Sequence, residues 1–252
     1  MNDIARRAIA CLDLTELGDH ATDADVEALC AKAVSPAGPV AAVCVWPRHV
    51  TLARRLLAGT PVRIATVVNF PGGDEPTPHI VAAVEQSLAD GADEIDLVLP
   101  YHAYLQGAIE HVTMVLEAVR SAVPTDGHLL KVILETGELG DPHFIESAAR
   151  MAVGHGADFI KTSTGKSPVS ATLDATAIML QVIHDAAWPV GPKPSGGIRT
   201  LADATAYIEQ ADAVMGAGWV TPSTFRFGAS GLLTALLAAL EGDAGVTSVE
   251  AY

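Results

Sequence analysis

Short apolar runs alternate with longer amphipathic stretches along almost the whole chain, and this alternation constrains the fold more than any other feature. The runs are Val40–Trp46, Ile64–Phe70, Glu94–Pro100, Leu129–Glu135, Phe159–Thr164, Val190–Ser195 and Ala213–Trp219. An earlier run, Ala8–Leu14, is the candidate for the first of eight. Most are rich in Val, Ile and Leu, as strands buried on both faces are. The stretches between them carry helical spacing. His79–Asp90 has Ile80, Val84 and Leu88 on one stripe, and Asp174–His184 pairs Ile178 with Val182 and Met179 with Ile183. Gly228–Leu240 carries Leu233, Leu236, Leu237 and Leu240. Thr22 or Asp23 can cap a helix from about Ala24 that buries Val26, Leu29 and Cys30.

Strand then helix, about eight times in 252 residues, is the arithmetic of an α/β protein built as one (β/α)8 TIM barrel over residues 1–252. Residues 242–252 read as a loose, flexible C-terminal tail. A doubly wound open sheet competes, but it would normally carry a Gly-rich fingerprint after its first strand, and the region of Gly18 lacks that spacing.

Half the residues are hydrophobic and only 18% are charged, enough for a large core and too apolar for disorder. The formal net charge of −15 makes nucleic acid and anionic membranes poor partners. A small phosphorylated substrate stays open, because a few local cations override the net field. Cys11, Cys30 and Cys44 form no CxxC pair and no disulfide framework, which fits a reducing cytoplasm. No secretory signal follows Met1–Arg7, and no run reaches the ~18 apolar residues of a membrane span. The nine histidines include no HxH or HExxH pair, so no metal site is expected. Walker A and GxSxG motifs are absent.

Five lysines stand in the chain, and only Lys32 falls where a solvent-facing helix is expected. Lys131, Lys161, Lys166 and Lys193 lie inside predicted strands or just after them. Lysine is seldom buried without a partner. In Phe159–Lys166, Lys161 shares a strand face with Phe159 and Ser163 and opens toward the end where barrel active sites are built. Desolvation there would lower its pKa and leave a nucleophilic amine. The alternative is an ion pair with no chemistry. Lys193, between Pro192 and Pro194, either projects into the same mouth and disfavours charge on Lys161 or is held out in a turn. Lys131 shares a face with Glu135, and a buried pair between them is the favoured reading. Asp96, between apolar neighbours, either joins a proton relay with Lys161 or Lys193 or forms a structural bridge to Lys131. Three turns could hold a phosphate: Thr164-Gly165-Lys166, Ser195-Gly196-Gly197 before a helix from about Thr200, and Phe227–Gly231.

The sequence resembles the deoxyribose-phosphate aldolases, Schiff-base (class I) aldolases on a TIM barrel. The resemblance rests on Leu12–Thr15, Val43–Arg48, Ala65–Pro71, Gly91–Tyr101, Lys131–Leu139, Gly156–Lys166, Lys193–Thr200 and Arg226–Leu233. It implies that Lys161 is the Schiff-base lysine, Lys193 the second active-site lysine and Asp96 the relay carboxylate. It further implies that Thr164, Gly165, Lys166, Gly196, Gly197 and Ser230 contact a sugar phosphate, and that Asp13 and Cys44 line the pocket. Gly231 stands where the family often has a second serine, so only its backbone N–H is left to bind. The tail residue Tyr252 matches a family tyrosine that assists proton transfer. The implied reaction is reversible cleavage of 2-deoxy-D-ribose 5-phosphate to acetaldehyde and D-glyceraldehyde 3-phosphate, with no metal or organic cofactor. Family members often dimerise, so a homodimer is the assembly it allows. Two other readings remain: a Schiff-base lyase acting on a different phosphorylated aldehyde or ketone, and a sugar-phosphate sensor without turnover.

Overall fold

A computed structural model describes residues 2–186 and 188–247. Eight parallel strands form its centre: β1 (Leu12–Glu16), β2 (Ala42–Val45), β3 (Arg63–Val68), β4 (Glu94–Val98), β5 (Leu129–Ile133), β6 (Phe159–Lys161), β7 (Gly191–Lys193) and β8 (Phe227–Ala229). The order is β8-β1-β2-β3-β4-β5-β6-β7. The ring closes between β7 and β8 through backbone bonds rather than a regular ladder. Arg226 N–H donates to Pro192 O, Gly228 N–H to Pro194 O, and Gly196 N–H to Gly228 O. Pro192 and Pro194 have no N–H to return, so along their stretch this seam is bonded in one direction only.

Successive side chains on a strand face opposite ways, and here the period of two separates two kinds of surface. Leu12 and Leu14, Val43 and Val45, Ile95 and Leu97, Leu130 and Val132, and Ile160 join the large core under the helices. Their alternates face inward. Ala42, Cys44, Ala65 and Val67 make a small separate apolar wall. Asp13, Glu94, Asp96, Lys131 and Lys161 line the rest and are buried. The interior is thus apolar on the β2–β3 side and ionic elsewhere.

The surrounding helices are α1 (Asn2–Ala10), α2 (Asp23–Lys32), α3 (Val50–Leu56), α4 (Thr77–Ala89), α5 (Tyr101–Leu105), α6 (Ile109–Ala122), α7 (Thr136–Leu139), α8 (Pro142–Gly154), α9 (Leu173–His184), α10 (Leu201–Met215) and α11 (Leu232–Thr247). Thr22 and Thr200 begin α2 and α10 with reciprocal capping boxes to Asp25 and Asp203. Among the described residues no helix is long and apolar enough to cross a membrane.

Four expectations need correction. Ala213–Trp219 is not a strand. Residues 213–215 finish α10, and Gly216, at φ 105°, stops it. The eighth strand is instead Phe227–Ala229, which the sequence suggested as a turn. Residues 8–10 of the first run belong to α1, so β1 starts at Leu12. Residues 242–247 continue α11 rather than opening a tail, and Tyr252 lies outside the described residues.

Candidate active site

Register brings the interior charges together. Asp96 pairs with Lys131 across β4–β5, Ile133 with Lys161 across β5–β6, and Lys161 with Lys193 across β6–β7. The three amines converge on one carboxylate. Asp96 Oδ1 accepts from Lys131 Nζ at 2.8 Å, and Oδ2 accepts from Lys193 Nζ at 2.7 Å and Lys161 Nζ at 3.1 Å. Lys193 also donates to Asp13 Oδ2, and Arg226 Nη1 donates to Asp13 Oδ1 at 2.6 Å. Lys131 and Arg226 both pair with Glu94, which Arg63 meets from the other end of the barrel at 2.6 Å. A continuous ionic column therefore runs down the interior from Lys161 to Arg63.

The charges in this column do not balance. Lys131, Lys161, Lys193 and Arg226 are four buried cations against the three buried carboxylates Asp13, Glu94 and Asp96. Arg63 is one-third exposed and screened by water, so it counts for less. One amine is in excess, and among the described residues Lys161 is the one with a single carboxylate partner. Burial pushes its pKa down, Asp96 pulls it back, and Lys193 pushes it down again; the net shift is downward. Burial also opposes charge on Lys193 and Lys131, but Asp13 and Asp96 outweigh it for the first, and Asp96, Glu94 and Asp13 for the second, so both rise. Burial would raise the Asp96 carboxyl, yet Lys131, Lys193 and Lys161 hold it well below the usual range.

Lys161, 3% exposed, forms part of the floor of a cavity of about 440 Å³. The walls come from the C-terminal ends of β1, β6, β7 and β8 and the loops beyond them: Thr15 to Gly18, Thr164 to Lys166, Ser195 to Arg199, and Gly228 to Gly231. Thr164, Gly165, Lys166, Gly196, Gly197, Ser230 and Gly231, all anticipated from sequence, are in this lining. Among the described residues the N–H groups of Gly165, Gly197 and Gly231 donate to no protein atom. The last of these leads into the N-terminus of α11, where an anion is favoured.

The sequence profile of the DeoC/LacD family of aldolases matches residues 7–236. The chain belongs to this family. A curated relative of this DeoC/LacD aldolase, the deoxyribose-phosphate aldolase of Agrobacterium fabrum, is 47% identical over 251 residues, covering 99% of this chain and 96% of the relative. A Coccidioides immitis structure provisionally assigned as a deoxyribose-phosphate aldolase superposes with a TM-score of 0.83 at 30% identity, covering 94% of this chain and 87% of that one. The tetrameric deoxyribose phosphate aldolase of Aeropyrum pernix, 24% identical, shares the fold with a TM-score of 0.72 over 95% and 92% of the two chains.

Several side chains of this aldolase depart from the sequence reading. Asp13 and Cys44, like Asp96 and Lys193, are fully buried and lie outside the cavity wall itself. Asp13 anchors Lys193, and Cys44 sits in the apolar wall, where burial pushes its thiol up. Lys131 does not pair with Glu135. The strand ends at Ile133, and Glu135 turns into a left-handed backbone at φ 56°, so the alternation that put them on one face has ended. Asp96 serves Lys161, Lys193 and Lys131 together, where the sequence offered them as alternatives. The sequence reading gave no role to Arg226, Glu94, Thr15, Glu16 or Arg199. Arg226 left a signal, as a lone cation between Phe225 and Phe227. Glu94 left one too, by sharing the Asp96 face.

Proposed function

We propose that the chain, as one barrel domain over residues 1–252, reversibly cleaves 2-deoxy-D-ribose 5-phosphate to acetaldehyde and D-glyceraldehyde 3-phosphate in the cytoplasm. The assignment draws on the name of the Agrobacterium relative. The observation that carries the mechanism is the Lys161 amine, the surplus cation of a buried network, at the floor of an open cavity. Neutral Lys161 attacks the aldehyde carbon, and loss of water gives an iminium. The C3 hydroxyl then yields its proton, the C2–C3 bond breaks, and its electron pair flows into the iminium. Glyceraldehyde 3-phosphate leaves and an enamine stays on Lys161. Protonation of the enamine carbon and addition of water release acetaldehyde and restore the amine.

The charge count favours the central step. The iminium recreates the one-cation excess, and cleavage to a neutral enamine removes it. Asp96, through a bound water, takes the C3 hydroxyl proton only for the moment of cleavage and returns it to the enamine carbon, while the Lys193 ammonium hydrogen-bonded to it stays charged. Asp13 keeps Lys193 charged and in place. The free N–H groups of Gly165, Gly197 and Gly231, with Lys166 and Ser230, receive the phosphate and fix the distance to Lys161. A homodimer is the assembly proposed.

Borohydride reduction with acetaldehyde tests the reading. The adduct should map to Lys161, and Lys161→Ala should abolish it. Labelling on another lysine, or unchanged labelling in the variant, overturns the assignment.

A further inference from the structure

Glu135 is a fully buried carboxylate outside the ionic column, and among the described residues it has no cationic partner within ion-pair distance. Its backbone is left-handed at φ 56°, a region that side chains larger than Asn seldom enter. Among the described residues Asn69 is the only other non-glycine with positive φ. An unpaired buried carboxylate on an unfavourable backbone calls for a compensating set of contacts. Those contacts all come from one turn. Thr164 donates its N–H at 3.2 Å and its hydroxyl at 2.5 Å to Oε2, and the Ser167 hydroxyl donates to Oε1 at 2.8 Å. Thr164 Oγ1 in turn accepts from Lys166 N–H at 3.0 Å. The turn from residue 164 to 167 is thereby wrapped around a single carboxylate. Gly165, at φ 80°, is left at its apex with its N–H free, and the Lys166 side chain reaches across the mouth to Asp19 at 2.6 Å.

We infer that Glu135 is a positioning residue for phosphate recognition: it reaches from the end of β5 to hold the turn that presents Gly165 and Lys166 to the substrate's phosphate. Thr164, whose N–H and hydroxyl are both spent on Glu135, belongs to the support of that site. The inference rests on the proposed reaction for its substrate, and it separates phosphate binding from the chemistry at Lys161. Removing the carboxylate releases the turn and leaves the amine, Asp96 and Lys193 where they are.

The test compares 2-deoxyribose 5-phosphate with unphosphorylated 2-deoxyribose in wild type, Glu135→Ala and Glu135→Gln. Glu135→Ala should raise KM for the phosphorylated sugar about tenfold or more, with kcat/KM for the unphosphorylated sugar and the rate of acetaldehyde trapping both unchanged. Glu135→Gln keeps an acceptor for Thr164, and Ser167 can turn to accept from its amide, so it should restore most of the affinity. Equal losses on both sugars, or a Gln variant as impaired as the Ala variant, overturn the role. Should Glu135→Ala not fold, Ser167→Ala, which removes the hydroxyl that donates to Oε1, must raise the same KM selectively, and failure to do so also overturns it. Wild-type protein that traps no acetaldehyde refutes the Schiff-base reading. Trapping in wild type with an unchanged ratio of KM values in the variants refutes only this inference.

Discussion

Replacing Lys131 by Met removes one positive charge from the middle of the barrel and keeps most of the side chain's volume. Lys131 is fully buried and meets Asp96 at 2.8 Å, Asp13 at 3.3 Å and Glu94. Deleting one partner of a buried ion pair costs about 3–5 kcal/mol, because a charge stays buried without compensation. At about 2–4 °C per kcal/mol for a domain of this size, Tm should fall by roughly 6–20 °C. The functional effect has a definite sign. Three carboxylates would then face only Lys161, Lys193 and Arg226, so balance requires Lys161 to be charged. Its pKa rises, less neutral amine exists at any given pH, and the acid limb of the acetaldehyde-trapping profile moves to higher pH. Adding Glu94→Gln restores the excess of one cation. The double variant should therefore recover the wild-type limb and part of the lost Tm, a coupling that a double-mutant cycle measures. A Lys131→Met profile that does not move, or a double variant that behaves like the single one, refutes the charge argument.

Gly191→Ala would push a methyl into the Phe159 ring and the Thr224 carbonyl oxygen. It should lower stability by about 1–3 kcal/mol or more, read from the urea midpoint, and an unchanged midpoint contradicts the packing. Burial pushes Cys11 up to about 12, Cys30 up to about 11, and Cys44 upward as well. A thiol reagent near neutral pH should label none of the three before denaturant is added, and rapid labelling of Cys44 would contradict its place in the wall. Asp13, Glu94 and Asp96 are all held below their ordinary carboxylate values despite burial, by Lys193 and Lys131, by Lys131 and Arg226, and by Lys131 and Lys193 respectively. Depressed folded-state values give stability that is complete above the unfolded-state values and is lost as pH falls through the folded ones. Circular dichroism should show unfolding set in below about pH 4, and a flat signal down to about pH 2 would refute it.

The barrel was legible because strands buried on both faces leave short runs dominated by apolar residues, as at Ile64–Phe70 and Leu129–Glu135. Two signals failed at the limits of periodicity. Phe227–Ala229 is three residues long and two-thirds small, too brief to show alternation. Ala213, Val214 and Met215 read as a strand in isolation, yet Met215 extends the helical stripe of Ala204, Tyr207, Ile208 and Ala211, while Ala213 and Val214 are exposed. At the site, Lys161, Lys193 and Asp96 announced themselves as charges inside apolar strands. Their mutual geometry depends on register across three strand pairs, which no local pattern encodes. The Lys131–Glu135 pairing failed for a related reason: face-sharing holds only while φ stays extended, and the left-handed backbone at Glu135 redirects the side chain.

The proline-flanked join between β7 and β8 gives the cylinder a preferred line of opening. Pro192 fixes its own φ, and Pro194 keeps Lys193 extended, so the lysine-bearing segment holds its shape with few partners across the gap. The ring around it lacks that reinforcement. The amides of Arg226 and Gly228, whose bonds cross this line, are therefore the barrel amides expected to exchange with deuterium first.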